Sequence, residues 1–423
     1  MMKYTVLIVA WVFFGALSAQ SPITLDVCYA AAEANYPNAR QSGLIMRSDA
    51  LQQANTRTAY LPQVALNAQA TWQSTTTSLP ITLPGIDVPS LNKDQYKITL
   101  DATQTIWDGG MTKAQNSASA ATTQADLAKL KVETYALHEQ IQQGFFGMAL
   151  ATRQLANLEL LRTDVQAKLT RTQAAVANGT AIKANALTLE VKLLELEQQA
   201  TDLRARRAGA AAALSTLTGL GINERTELAL PQDVGELDNK IGLRPELALF
   251  DLQKTAIEAN ADLLDARGMP KVSAFTQLGY GRPGLNFLTN AFEPWALVGA
   301  KATWNLSQYY THNTDRDREI MQLNAQKVDL QRETFDLNMR TRAEQQLREV
   351  GRLTELLRSD AQIIGLRTVI KATAETQLEG GIITASDYLT EATAESLARQ
   401  QLALHEVQLA QAQELMRIIV GKK

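Results

Sequence analysis

The chain has 423 residues but a single cysteine, Cys28, so no disulfide can form within it. Histidine is equally scarce: His138, His312 and His405 lie far apart, with no cysteine or second histidine at ligand spacing. No metal or cofactor is therefore expected. A formal net charge of −3 leaves no basic footprint for nucleic acid. Beyond the N-terminus no stretch offers about 18 consecutive apolar residues, so no helix is expected to cross a bilayer. Catalytic groupings are missing too: there is no Ser/His/Asp set and no phosphate-cradling glycine loop, and Asp49, Asp101 and Asp108 stand isolated. An enzyme is not expected. Finally, none of the 11 prolines falls between residues 90 and 230 or after Pro294.

The proline gaps say most about architecture. Proline inside a helix costs about 3 kcal/mol, and long stretches without it, rich in Ala, Leu, Gln, Glu and Arg, predict long helices. Apolar residues recur there in steps of three and four: Leu127, Leu130, Leu137, Ile141, Met148, Leu155, Leu158, Val165 and Leu169, then Leu189, Leu193, Leu196, Leu203, Leu214 and Leu217. That is the spacing of coiled-coil packing. Many seam positions are small, Gly144, Ala151, Ala186, Ala200 and Ala210 among them, which suits close packing of several helices. One helix over 111–177 is expected, about 100 Å long at 1.5 Å per residue. Gly179 then caps it and turns the chain back. Gly380-Gly381 does the same between helices expected at 312–378 and 385–419. Charged residues on these rods read as solvated helix faces.

Residues 1–19 hold one lysine, an apolar run from Val6 to Ala16, and Leu17-Ser18-Ala19 before Gln20. This predicts a secretory signal peptide. Cys28 follows Leu25-Asp26-Val27 and reads as a small hydrophobe near a helix start, not a lipid-attachment site.

Four segments alternate apolar and polar residues over the length of a strand: 63–77, 95–107, 271–280 and 295–306. The first pair is joined by a loop with Pro80, Pro84 and Pro89, the second by Gly281-Arg282-Pro283-Gly284. Trp72, Tyr96, Trp107, Tyr280, Trp295 and Trp304 fall near the strand ends. Strands of about 10 residues with aromatics at both ends are the pattern of a transmembrane β-barrel, where such residues mark the membrane interfaces. Four strands are too few to close a barrel, and an open edge has no partner in lipid. A membrane reading therefore requires several chains per barrel.

The same order occurs twice. Tyr60-Leu61-Pro62-Gln63-Val64 answers to Gly268-Met269-Pro270-Lys271-Val272, and an offset of 202 residues relates both Gly179 to Gly381 and Leu187 to Leu389. A unit this long exceeds any solenoid period. The expected organisation is a first repeat over 20–222 with its helical tip at 178–185, a linker over 223–243, and a second repeat over 244–423 with its tip at 380–387.

Taken in order, several segments resemble the TolC-type outer-membrane efflux channel family. They are Ile23-Thr24-Leu25-Asp26, Asn35-Tyr36-Pro37, Ala59-Tyr60-Leu61-Pro62, Trp107-Asp108-Gly109-Gly110, Arg244-Pro245-Glu246-Leu247 and the two glycine turns. The resemblance spans nearly all of the chain beyond the leader. It implies an α+β membrane protein: a long α-helical coiled-coil barrel plus four transmembrane β-strands per chain, with a homotrimer closing one twelve-stranded barrel. It also implies a passive outer-membrane duct of a tripartite efflux or type I secretion system. Its partners would be outer-membrane lipids, a periplasmic adaptor protein and an inner-membrane transporter, and its helical part would lie in the periplasm. The tips, at Gly179, Thr180, Gly381 and Ile382, would meet the adaptor. Asp387 matches a family acidic position that forms a constriction ring, where like charges would raise proton affinity. Here Thr390 replaces a second acid and Asn185 is the first-half counterpart. Leu306-Ser307-Gln308-Tyr309 stands where the second half lacks Asp-Gly-Gly. The competing class is a periplasmic coiled-coil adaptor, which shares the leader and rods but not two hairpins alternating with two strand pairs. The nature of the cargo is not legible.

Overall fold

The computed structural model describes residues 22–76, 91–231, 241–242, 244–286 and 288–421. The expected leader, the loop with Pro80, Pro84 and Pro89, and much of the expected linker lie outside them. In chain order the elements are β1 (Ile23–Thr24), α1 (Leu25–Asn35), α2 (Gln41–Arg57), β2 (Gln63–Trp72), β3 (Asp94–Trp107), α3 (Met111–Tyr135), α4 (Leu137–Ala177), α5 (Lys183–Thr218), β4 (Leu228–Ala229), α6 (Pro245–Arg267), β5 (Lys271–Arg282), β6 (Glu293–Thr303), α7 (Gln308–Thr311), α8 (Asn313–Glu379) and α9 (Ala385–Val420). No described helix is long and apolar enough to cross a membrane.

Most expected boundaries move by a residue or two, and three change more. The helix expected over 111–177 is interrupted at Ala136, which stays right-handed and bonds its N–H to the carbonyls of Val132 and Thr134. The first strand stops at Trp72, not 77. The last stops at Thr303 because Trp304 and the residues after it bend into the turn before α7.

The described residues form two compact units. The first draws on Met1–Tyr36, Leu137–Asp238 and Gln345–Ile418, the second on Pro37–Ala136, Asn239–Glu344 and Ile419–Lys423. Each thus takes segments from both expected repeats.

In the first unit the heptad positions read from the sequence are the core. Leu158, Val165, Leu169, Leu189, Leu196 and Ala200 are buried together with Ala385, Tyr388 and Ala392 of α9. A second cluster gathers Ile141, Phe145, Met148 and Leu214 around Leu25 and Cys28 of α1. Gly144 matters here, since a methyl group on it would sit 3.0 Å from Leu214 Cγ. The absent side chain lets α4 and α5 approach closely.

In the second unit the strands form one antiparallel sheet in the order β2-β3-β5-β6. Helix α8 is tied to α6 by Lys254–Asp329, Arg332–Asp251 and Arg318–Asp265 ion pairs.

Candidate functional site

The sheet has two unlike faces. Val64, Leu66, Ala68 and Ala70 on β2 stand opposite Ala102, Leu100, Ile98 and Tyr96 on β3. Leu278 and Tyr280 of β5 and Ala296, Val298 and Ala300 of β6 continue the same face. None of the described residues covers it: Val64, Leu66, Ile98, Leu100, Leu278 and Val298 are exposed by 42–76%. Burying such a side chain is worth about 1.5–3 kcal/mol, so in water these six forgo on the order of 10 kcal/mol. The other face carries Gln63, Asn67, Gln69, Lys97, Thr99, Asp101, Gln277, Ser273 and Lys301. Asp101 is held there by the side chains of Asn67, Thr99 and Gln277.

Aromatic residues gather at both ends of the apolar face. At the hairpin end Trp72 is exposed, and Tyr96 and Tyr280 stack on Phe292 with centroids 6.4 and 5.8 Å away. At the helix end Trp107 follows a β-bulge, and Trp304 meets Tyr309 edge-on at 6.0 Å. Trp295 does not belong with them. It pairs with Gly279 on the polar face, where Lys97 Nζ lies 4.9 Å from its ring centroid. A methyl group on Gly279 would fall 2.1 Å from that ring. Strand alternation explains the departure, because Trp295 is one residue out of phase with Ala296.

The strands pass into helices through two differently built turns. After β3, Asp108 accepts hydrogen bonds from the N–H groups of Gly110 (2.9 Å) and Thr112 (2.7 Å) and from the Tyr60 hydroxyl (2.8 Å). Burial works against its charge, but these donors outweigh it and hold its carboxyl below the usual range. Gly109 has φ +71°, and a methyl group there would lie 2.4 Å from Met269 Cβ, so only glycine fits. Asp49 binds Ser119 and Gln53. The three acids that stand isolated in the sequence are thus all held by hydrogen-bond donors. After β6, Asn305 accepts from the Ser307 N–H at 3.1 Å, while Trp304 and Gln308 donate to the Gly268 carbonyl.

In the first unit the helical tips can be compared bond by bond. At the first, Asn178, Gly179 and Thr180 donate their N–H groups to Ala174, Val176 and Ala175. At the second, Gly380, Gly381 and Ile382 donate to Thr376, Leu378 and Gln377, the same acceptors displaced by 202 residues. Both are Schellman turns with a left-handed glycine, φ +73° at Gly179 and +71° at Gly381. A cavity of about 790 Å³ is lined by both turns. Ile182 and Ile382 remain exposed.

The next helices begin differently. Helix α5 has Ile182 at its cap, with no side-chain bond. Helix α9 is capped by Thr384, whose N–H donates to Asp387 Oδ2 at 2.9 Å while the Asp387 N–H donates to Thr384 Oγ1 at 3.3 Å. This reciprocal pair is a capping box, with aspartate in the place of glutamate. The Thr384 hydroxyl and N–H hold the Asp387 carboxyl below its ordinary range. In the single chain the shift is therefore opposite to that expected for a ring of like charges. Asp387 also lines a groove with Ile383, Thr390 and Glu391.

A charged layer sits just behind the tips, where the sequence implied solvated faces. Lys168 is buried and paired with Glu375 and Glu379. Lys371 binds Asp164 at 2.7 Å and Glu395 at 3.3 Å, and the Tyr388 hydroxyl donates to Asp164 at 2.6 Å. Burial and then the Asp164 bond push the Tyr388 hydroxyl well above its ordinary range. The spacing does carry a signal: Asp164 and Lys168 flank Val165 and Leu169 and so border the seam.

Residues 29–220, a little under half of the chain, match the family described as outer membrane efflux protein. No curated protein matches the sequence significantly. Among solved structures, the channel CusC is 14% identical with a TM-score of 0.66, over 94% of this chain and 92% of that one. The Campylobacter jejuni CmeC outer membrane channel is 14% identical with a TM-score of 0.65, over 99% and 94%. The open state of the Neisseria gonorrhoeae MtrE outer membrane channel is 16% identical with a TM-score of 0.66, over 94% and 89%. The first half of the chain thus matches the outer membrane efflux protein family, and the chain as a whole shares the fold of these outer membrane channels.

Proposed function

We propose that three copies of the chain join sheet edge to sheet edge into one twelve-stranded barrel, and that each copy contributes two similar sectors to a periplasmic helical tunnel. The channel is a passive duct. A periplasmic adaptor protein couples it to the inner-membrane transporter that supplies the energy. One observation carries this reading: among the described residues, the sheet has a largely apolar face that no other element covers and unpaired edges on β2 and β6. Each unpaired backbone group costs several kcal/mol in lipid, so the edges must meet other edges there. Length supports it too. Tyr96 and Trp107 lie at opposite ends of β3. Their separation is about 37 Å along a strand, or about 26 Å along the membrane normal at a 45° tilt, close to the thickness of an outer-membrane barrel.

The tips around Gly179, Thr180, Gly381 and Ile382 are the adaptor-docking surface on this reading, with exposed Ile182 and Ile382 as its apolar contacts. Asp387 sets the charge of the periplasmic entrance, and to do so it must keep its carboxylate ionised while capping α9. Extraction tests the whole reading. The protein should leave the membrane fraction only with detergent and run as a trimer that dissociates on heating. Release by osmotic shock as a soluble monomer would contradict a channel and favour a periplasmic adaptor.

A further inference from the structure

The polar face of the sheet is unevenly charged along its length. Toward the hairpin end it carries Lys97 and Glu293, and in the middle Asp101. At the helix end it carries Lys271 and Lys301. Lys271 stands opposite Thr303, and Lys301 opposite Ser273. The two lysines are therefore diagonal neighbours on β5 and β6, about 7–8 Å apart at the backbone. Both line a cavity of about 1090 Å³, together with Thr103, Thr105, Ser273 and Thr303.

The two acids that line the cavity are already engaged. Asp101 accepts from Asn67, Thr99 and Gln277, and Asp108 is buried on Tyr60, Gly110 and Thr112. No ion pair engages Lys271 or Lys301 among the described residues, whereas Lys97, at the other end, lies over the Trp295 ring. We propose that Lys271 and Lys301 form a basic collar at the helix end of the strand-lined lumen, and that this collar favours cargo bearing an anionic group over cationic cargo of the same size. The proposal rests on the reading that this face lines a lumen closed by three copies, in which six ammonium groups would ring the passage. Rings of lysine or arginine select for anions in pores, and at physiological salt each charge acts over about 8 Å. The hydroxyl-rich wall beside them supplies donors without adding charge.

Planar-bilayer recording of the full-length protein in 0.1 M KCl tests this, with inositol hexakisphosphate and spermine as probes, each added to the two sides in turn. From the side onto which the hairpins open, the polyanion should block wild type at a concentration about tenfold lower than the K271Q/K301Q variant requires. Spermine should be the weaker blocker from that side, and K97Q should change polyanion block by less than about twofold. The single variants K271Q and K301Q should each give part of the effect, which covers a double variant that does not insert. Equal polyanion block of wild type and both single variants, or stronger block by spermine from that side, would overturn the collar while the channel reading stands. A chain that forms no channels at all would remove both.

Discussion

The two helical tips end alike and restart differently. The Schellman bonds at Gly179 and Gly381 correspond atom for atom, so the way each outgoing helix stops is common to both. The restarts have diverged. The first tip relies on the backbone alone at Ile182 and uses Thr180 Oγ1 to bond the Ala175 carbonyl at 3.0 Å. The second places Ile382 where Thr180 would be and holds α9 with Thr384 and Asp387. It is also pinned from behind, where Lys168 of α4 reaches Glu375 and Glu379 at the end of α8. Stopping a helix needs a glycine and little else, so that part tolerates no drift. Starting one can be done by several residue types, and there the halves have been free to acquire charge.

The largest effect should come from function rather than stability. Inserting two charged residues at Gly179 or at Gly381 should abolish export while trimers still assemble, as native-gel migration would report. Export that survived both insertions would remove the tips as the docking surface. Next in size is the pinning. Replacing Glu375 and Glu379 together with alanine leaves Lys168 buried without a partner, and chemical denaturation of the detergent-solubilised protein should show a loss of about 3 kcal/mol. Each of G179A and G381A should cost about 1 kcal/mol, because alanine must adopt the left-handed backbone without any steric clash at either site. Unequal costs would break the equivalence of the two turns. T384A should lose about 1 kcal/mol of cap, whereas I182T should recover part of that amount at the first tip.

The smallest effect is the dependence on pH. The folded-state carboxyl of Asp387 is depressed, so its contribution is present above the ordinary carboxylate range and fades as pH falls through the lowered value. Unfolding profiles of wild type and D387N should therefore converge in acid and separate near neutrality. Profiles that stayed parallel would detach Asp387 from the cap.

The helices and the seam of α4 and α5 are legible in the sequence because buried positions recur along one face of both, often enough for the pattern to stand out. Leu158, Val165, Leu169, Leu189 and Leu196 are all marked by spacing and are all buried. The strands are legible as segments and, in β2, β3 and β5, in phase, but Trp295 falls with the girdle by its position near a strand end, and only the register shows it on the other face. The break at Ala136 carries no proline or glycine and leaves no mark in composition. Spacing places Asp164 and Lys168 at the border of the seam, but not their pairing with Lys371, Glu375 and Glu379, because those partners lie on another helix. A sequence pattern reports the face a residue occupies, not the residue it meets. The capping box is present as Thr384-Ala385-Ser386-Asp387, yet an acid just after a glycine turn reads as readily for a gate as for a cap.

The central claim is that the free edges of β2 and β6 meet those of other copies. The chain suits a direct test, because its one cysteine, Cys28, is fully buried and burial pushes its thiol pKa up to about 11. Cysteine introduced at Val298 of β6, paired in turn with cysteine at Val64, Leu66 or Ala68 of β2, should give oxidised ladders in outer membranes that end at a covalent trimer, with one pairing dominant. Cross-links confined to single chains, or ladders that run past three, would contradict it.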